Sequence, residues 1–175
     1  GAHNNESLGG HTWEETQKIG EEFITYTGAA SLEELRKIPA EKLERMAEEF
    51  AAMKHEMILF MPVTDGYVFK ENTTDCLNNN HVKQIPYMLG TTEADLFVTP
   101  EMIESGEKTA LYKGCIEWSE KTEELWGQPS YVYYFKRHLP GDDWGAFHCA
   151  ELWYMFGTMD RCWRPWEEHD RKLSE

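Results

Sequence analysis

The chain has 175 residues, of which 41% are hydrophobic and 13% aromatic, so its composition is that of a folded domain with a core. Its formal net charge of −15 comes from 32 acidic residues against 17 lysines and arginines, and no basic run is present. Nucleic acids and anionic membranes attract clustered Lys and Arg, so neither is an expected partner.

The first third of the sequence predicts three helices with charged outer faces. Thr12 and Glu15 have capping-box spacing at the start of a pattern of apolar residues with helical period. Ser31 and Glu34 repeat that spacing before a second, short helix, and "AEKLERMAEEFAAMKHE" has the pattern of a third. We expect residues 1–175 to form one domain, with a helical section over 1–56 and strands and helices over 57–175.

The rest of the chain predicts two strands among further helices. "QIPYMLGTT" indicates a short buried strand that breaks at Gly90, and "SYVYYFKR" is β-branched and aromatic, as strands are. Between them lies a helical stretch in two pieces around Gly106, and "FHCAELWYMFG" has the length of a helix. The C-terminal residues predict a last helix that starts at a proline. Two strands do not form a stable sheet alone, so they need partners from other segments or from a larger sheet.

The four cysteines, Cys76, Cys115, Cys149 and Cys162, form no C-x-x-C pair. Three disulfide pairings are possible and the spacing selects none of them, so reduced thiols are expected. The start of the chain has no signal-peptide pattern, and no apolar run approaches the length of a membrane span. These features favour a cytoplasmic location.

His148 is the histidine with the most informative surroundings, in the aromatic run "WGAFHCAELWYMFG". Its neighbour Cys149 is not an expected nucleophile, because adjacent residues rarely face each other on a helix or a strand. "HCAEL" is not the H-E-x-x-H motif, and His148, Cys149, Cys162 and His169 fit no structural zinc spacing. No metal or cofactor is therefore expected. Judged by its local sequence alone, His148 would more often be a structural residue.

Five stretches together resemble the carboxylesterase type B family of α/β-hydrolases, especially its bacterial esterases. They follow one another in the same order as in the family and cover nearly the whole chain: "SLEELRKIPAEKL", "MPVTDGYVF", "PYMLGTTEADLF", "YVYYFKRHLPGDDWGAFHCAELWYMFG" and "DRCWRPWEEHDRKLSE". The resemblance implies the α/β class and a partial α/β-hydrolase fold. The expected structure is the C-terminal half of that fold, helix-rich, with a few strands of an incomplete sheet.

The resemblance also implies two catalytic residues. The family's catalytic histidine corresponds to His148 and its catalytic acid to Asp95, although many members have Glu at the latter position. Glu93 is the competing acid. In the esterase triad a serine attacks the ester, the histidine moves its proton, and the acid orients the imidazole. The order Ser, acid, His along the chain is that of α/β-hydrolases.

The family's nucleophile elbow, Gly-Glu-Ser-Ala-Gly, and its oxyanion-hole loop lie upstream of these segments and are not found in this sequence. "NESLG" imitates the elbow around Ser7, but only the polar "GAHNN" precedes it, whereas an elbow follows a buried strand. The resemblance thus implies a C-terminal-half fragment, cut at both ends, of a serine carboxylesterase. The parent enzyme would cleave a small-molecule carboxylic ester through an acyl-enzyme, and this chain would be inactive alone.

Two further expectations follow from an incomplete hydrolase. Its exposed sheet edges would pair between copies, which predicts a homo-oligomer or pairing through the exposed surface of the fragment. The alternative function is a non-catalytic interaction or scaffold module derived from an esterase fold, because a fold does not by itself imply activity.

Overall fold

The computed structural model describes residues 11–56 and 59–175, which divide into two compact units between Asp75 and Cys76. Within these residues, no helix is both long and apolar enough to cross a membrane. The chain is helix-rich with a few short strands in small sheets, which confirms the predicted class of secondary structure.

The N-terminal unit is built mainly from helices, and its two short strands pair in parallel with His11 opposite Val63. Its elements are β1 (His11–Thr12), α1 (Trp13–Thr27), α2 (Leu32–Leu35), α3 (Ala40–Met53) and β2 (Val63–Thr64).

Local sequence signals set the limits of α1. The Thr12 hydroxyl accepts a hydrogen bond from the Glu15 backbone N–H, and the Glu15 carboxylate accepts one from the Thr12 N–H, which is the predicted capping box. Gly28 ends the helix with a φ of 74° in the left-handed region. α1 packs on α3 through Phe23 and Phe50, whose ring centroids are 5.3 Å apart.

The C-terminal unit contains the longer strands and the candidate site. The division between the units falls within α4. The remaining elements are α4 (Thr73–Asn78), β3 (Met88–Thr92), α5 (Pro100–Ser105), α6 (Ala110–Trp126), β4 (Tyr131–Phe135), α7 (Leu152–Met155), a 3₁₀ turn (Met159–Arg161) and α8 (Glu168–Ser174). The predicted division of the helical stretch at Gly106 is confirmed, since Gly106 ends α5 with a φ of 72°.

β3 and β4 pair in parallel, from Met88 opposite Tyr131 to Thr92 opposite Phe135, and α6 packs against both strands. The prediction that β3 breaks at Gly90 is wrong, because the strand continues through it. Glycine is required there for space: a Cβ atom at position 90 would overlap the carbonyl oxygen and the ring of Tyr133 on β4.

Two predicted helices differ from those observed. "FHCAELWYMFG" forms a helix only over Leu152–Met155, because Cys149 has a φ of 67°, which a right-handed helix cannot contain. The C-terminal helix begins at Glu168 rather than at Pro165. Both segments pack around a core of Leu139, Ala150, Tyr154 and Met159, and this core anchors the segment around His148.

Candidate functional site

The candidate site lies in the loops that follow β3 and β4. Parallel pairing brings the carboxyl ends of the two strands to the same edge, which is where open α/β sheets place their sites. Backbone contacts then join the chain beyond the two strands. The Glu93 N–H donates to the Phe135 carbonyl and the Ala94 N–H to the Ala146 carbonyl, both at 2.9 Å, and Ala94 forms a parallel bridge with Phe147. Asp95 and His148 directly follow this last bridge, one on each loop.

Asp95 and His148 form a hydrogen-bonded pair, with 2.6 Å between the Asp95 Oδ1 and the His148 Nδ1. The Asp95 side chain is only 7% exposed. Its Oδ2 accepts a hydrogen bond from the Thr92 N–H at 3.0 Å, and its Oδ1 accepts one from the Leu96 N–H at 2.8 Å. The structure therefore brings together the two residues predicted from the resemblance. Backbone N–H groups of the loop that contains Asp95 hold its carboxylate in place.

This geometry indicates which nitrogen of the His148 ring donates to Asp95. An ionised carboxylate can only accept hydrogen bonds, so the Nδ1 of His148 is the donor to Asp95. In the neutral ring Nε2 is then the acceptor, the form that a general base requires. The His148 side chain is 52% exposed, so a reacting group can approach the imidazole.

Glu93, the competing acid, contacts other residues. Its carboxylate lies 2.8 Å from the His138 Nε2 and 3.0 Å from the Lys136 Nζ. Partial burial of Glu93 raises its pKa, but the hydrogen bonds from His138 and Lys136 outweigh burial and hold the pKa below its usual value. Among the described contacts, Glu93 therefore belongs to a second carboxylate–imidazole pair, and Asp95 is the acid that contacts His148.

The residues that follow His148 do not form a thiol site with it. Cys149 is an exposed residue, but partial burial of its thiol raises the thiol pKa, and the nearby carboxylates of Glu151 and Asp95 raise it further, which disfavours the thiolate. Glu151 accepts a hydrogen bond from the Tyr133 hydroxyl on β4 at 3.0 Å. Burial, followed by this contact, raises the pKa of Tyr133.

Arg164 is a residue of this region that the sequence does not single out. The tryptophans of "WRPW" predict packing, and Trp166 does pack against the core. The structure also shows that the Arg164 side chain between them is 6% exposed and bonded to the loop before His148. A basic residue between two tryptophans in an apolar setting is the one signal that indicates a buried charge there.

One group of possible metal ligands occurs among residues 11–56 and 59–175, formed by Glu167, His169 and Asp170. Asp170 is fully buried and accepts hydrogen bonds from the Arg137 Nε at 2.7 Å and Nη2 at 3.1 Å. The positive charge of Arg137 in that position would repel a metal cation. We therefore interpret the contact as an ion pair between Arg137 and Asp170 that joins α8 to the residues just after β4. Ser7 lies outside the described residues.

Comparisons with known proteins identify the fold. No protein-family model matches the chain, and no curated protein matches it. Among solved structures, a PNB esterase matches with a TM-score of 0.69 and 20% sequence identity. The match covers 93% of this chain and 43% of that esterase chain, so this chain spans less than half the length of its structural relative. The likeness shows an esterase-like, partial α/β-hydrolase fold.

Proposed function

We propose that this chain supplies the general base and its orienting acid to a serine carboxylesterase, with His148 as the base and Asp95 as the acid. The observation that carries the proposal is the 2.6 Å hydrogen bond between the His148 Nδ1 and a nearly buried Asp95, in the loops that follow two adjacent parallel strands. The esterase-like fold supports the same reading.

The chemistry follows from the roles of the two side chains. The His148 Nε2 accepts the proton of a serine hydroxyl as that hydroxyl attacks the ester carbonyl, and later donates the proton to the departing alcohol. Asp95 holds the ring in the required tautomer and stabilises the imidazolium that forms. The serine and the oxyanion hole are not assigned to any residue of this sequence, so the chain by itself is proposed to be inactive on small carboxylic esters.

The test is hydrolysis of p-nitrophenyl acetate by the purified chain and by its His148→Ala, Asp95→Asn and Ser7→Ala variants. The expected result is no turnover above that of His148→Ala. Turnover that Ser7→Ala abolishes would overturn the proposal, because Ser7 would then be the nucleophile. The same assay on the longest polypeptide encoded by the natural reading frame should show serine-dependent hydrolysis. There, His148→Ala should reduce the rate about 10⁴-fold or more.

A second candidate function is a non-catalytic interaction module, with a homo-oligomer as its simplest form. Large aromatic side chains near the His148 loop favour it: Trp144, Phe156 and Trp163 are each 70% or more exposed. Exposed aromatic side chains are enriched at protein interfaces. Sedimentation of the wild-type chain and of a Trp144→Ser, Trp163→Ser variant tests this function. A wild-type oligomer that the double variant turns into a monomer supports it, and a wild-type monomer counts against it.

A further inference from the structure

Arg164 lies between the 3₁₀ turn and α8 and contacts the loop that leads from β4 to His148. Its Nη1 donates to the Pro140 carbonyl at 3.0 Å, and its Nη2 donates to the Asp142 carboxylate at 2.7 Å. Both acceptors belong to the loop, and two nitrogens of one planar group bind them. A guanidinium fixes two acceptors in this way with a rigid geometry that a flexible ammonium lacks.

The same guanidinium also contacts the residue next to His148. The Arg164 Cζ lies 5.3 Å from the centre of the Phe147 ring, and the rings of Trp163 and Trp153 lie at 5.0 and 6.0 Å. Cations at such distances from aromatic rings are attracted to them, and more strongly when water is excluded. Phe147 in turn bridges Ala94, the neighbour of Asp95. Arg164 therefore contacts the loop at its middle, through Pro140 and Asp142, and at its end, through Phe147.

Asp142 completes this arrangement. The Arg164 guanidinium holds the pKa of Asp142 below its usual value, with a further contribution from the Trp144 N–H, which donates to the Asp142 Oδ1 at 3.2 Å. Asp142 is thus ionised at neutral pH and neutralises a nearly buried Arg164. Leu139 and Ala146, near the two ends of the loop, are 2% and 0% exposed, so the loop has little freedom to compensate for a lost contact.

The two members of the His148–Asp95 pair are held by different means. Asp95 is fixed by backbone N–H groups of its own loop, from Thr92 and Leu96. His148 is half exposed, and Asp95 is its side-chain hydrogen-bond partner among the described contacts. The position of its ring therefore depends on the path of the loop that precedes it.

We propose that Arg164 is the positioning residue for His148, binding the loop at Pro140, Asp142 and Phe147 so that the His148 Nδ1 meets Asp95. This proposal deepens the proposed function and rests on it for its catalytic meaning. The positioning itself is a property of the isolated chain and is measurable without an ester substrate.

The test is NMR of the chain with ¹⁵N-labelled histidine, with the His148 signals assigned by His148→Gln. The wild-type chain should show the Nδ1–H tautomer and a downfield Nδ1 proton in slow exchange with water. Arg164→Met should abolish that proton signal or give mixed tautomers, while the amide signals of β3 and β4 remain. Arg137→Met is the matched control, because it removes another partly buried guanidinium–carboxylate pair of this unit, that of Arg137 with Asp170, and should leave the His148 signals unchanged.

Arg164→Lys covers the case in which Arg164→Met does not fold. An ammonium can pair with Asp142 but cannot also reproduce the fork to Pro140, so the Nδ1 proton should exchange with water at least about tenfold faster. Wild-type His148 signals in folded Arg164→Met, or wild-type exchange in Arg164→Lys, would overturn the proposal, as would loss of the His148 signals in an Arg137→Met variant that remains folded. Absence of the Nδ1–H signal from the wild-type spectrum would also contradict the hydrogen bond between His148 and Asp95. If the NMR results are as expected and only the ester assay contradicts its expected result, the proposed function is overturned and the positioning of His148 by Arg164 is not.

Discussion

The imidazole of His148 and the carboxylate of Asp95 lie 2.6 Å apart, although 53 positions of the chain separate them. Their meeting follows from the parallel register of β3 and β4, which ends with Thr92 opposite Phe135, and from the bridge between Ala94 and Phe147. The carboxylate is nearly buried and the imidazole is half exposed. The pair is thus anchored on the acid side and accessible on the histidine side.

Replacing Asp95 should cost more stability than replacing His148. Asp95→Ala leaves the N–H groups of Thr92 and Leu96 without their acceptor, and a lost buried partner costs about 1–3 kcal/mol. The half-exposed His148→Ala should lower the free energy of unfolding by less than about 1 kcal/mol. Urea unfolding of the two variants measures both values. Equal losses would mean that the acid is not anchored by the backbone of its loop.

Glu93→Gln should disrupt the Glu93–His138 pair and leave the Asp95–His148 pair unchanged. The substitution removes the ion pair with Lys136 and the carboxylate contact with His138, so at neutral pH it should lower the free energy of unfolding by about 0.5–1 kcal/mol. The pKa of Glu93 is lowered in the folded state from 4.5, so its contribution is present above about pH 4.5 and is lost as the pH falls through the folded value. Unfolding at pH 7 and at pH 3 measures the difference. A changed His148 NMR signature in Glu93→Gln would contradict the proposal that Asp95 is the orienting acid.

Asp170 should make the protein sensitive to acid. Burial raises its pKa, but hydrogen bonds from Arg137, the Glu167 N–H and Tyr154 outweigh burial and lower the pKa from 3.8 to about 2. Its stabilisation is therefore complete above pH 3.8 and disappears as the pH falls through about 2, a change of about 2 kcal/mol by linkage. Thermal unfolding between pH 6 and pH 2 should show a flatter dependence for Asp170→Asn than for the wild type. Parallel curves would show that the Arg137–Asp170 pair is not formed in solution.

Substitution by alanine should change the stability in opposite directions at two glycines. At Gly90 on β3 the new methyl group would overlap Tyr133, so Gly90→Ala should destabilise by several kcal/mol or prevent folding of the C-terminal unit. At Gly20, inside α1, the new methyl group meets no atom within 4 Å apart from its chain neighbours and the backbone of its own helix, so Gly20→Ala should stabilise by about 0.5–1 kcal/mol. Unfolding followed by circular dichroism compares the two. A tolerated Gly90→Ala would mean that β3 and β4 do not approach as described.

Several elements follow from the sequence because their signals act over a few positions. The Thr12–Glu15 capping box, the cap at Gly28 and the division at Gly106 each depend on contacts within one or two turns. The β-branched and aromatic run of β4 also gives the strand directly. The predicted helix around His148 is wrong because the left-handed backbone of Cys149, a residue that rarely adopts it, has no signature in the local sequence.

The sequence by itself determined the caps, the strand composition and, through the resemblance, the candidate residues His148 and Asp95. Only the tertiary structure decided that Asp95 rather than Glu93 contacts His148, and that Arg164 binds the loop between β4 and His148. Those relationships depend on the register of two strands and on which charges become buried together. Both are set by contacts between residues far apart in the chain, so no local pattern of residues encodes them.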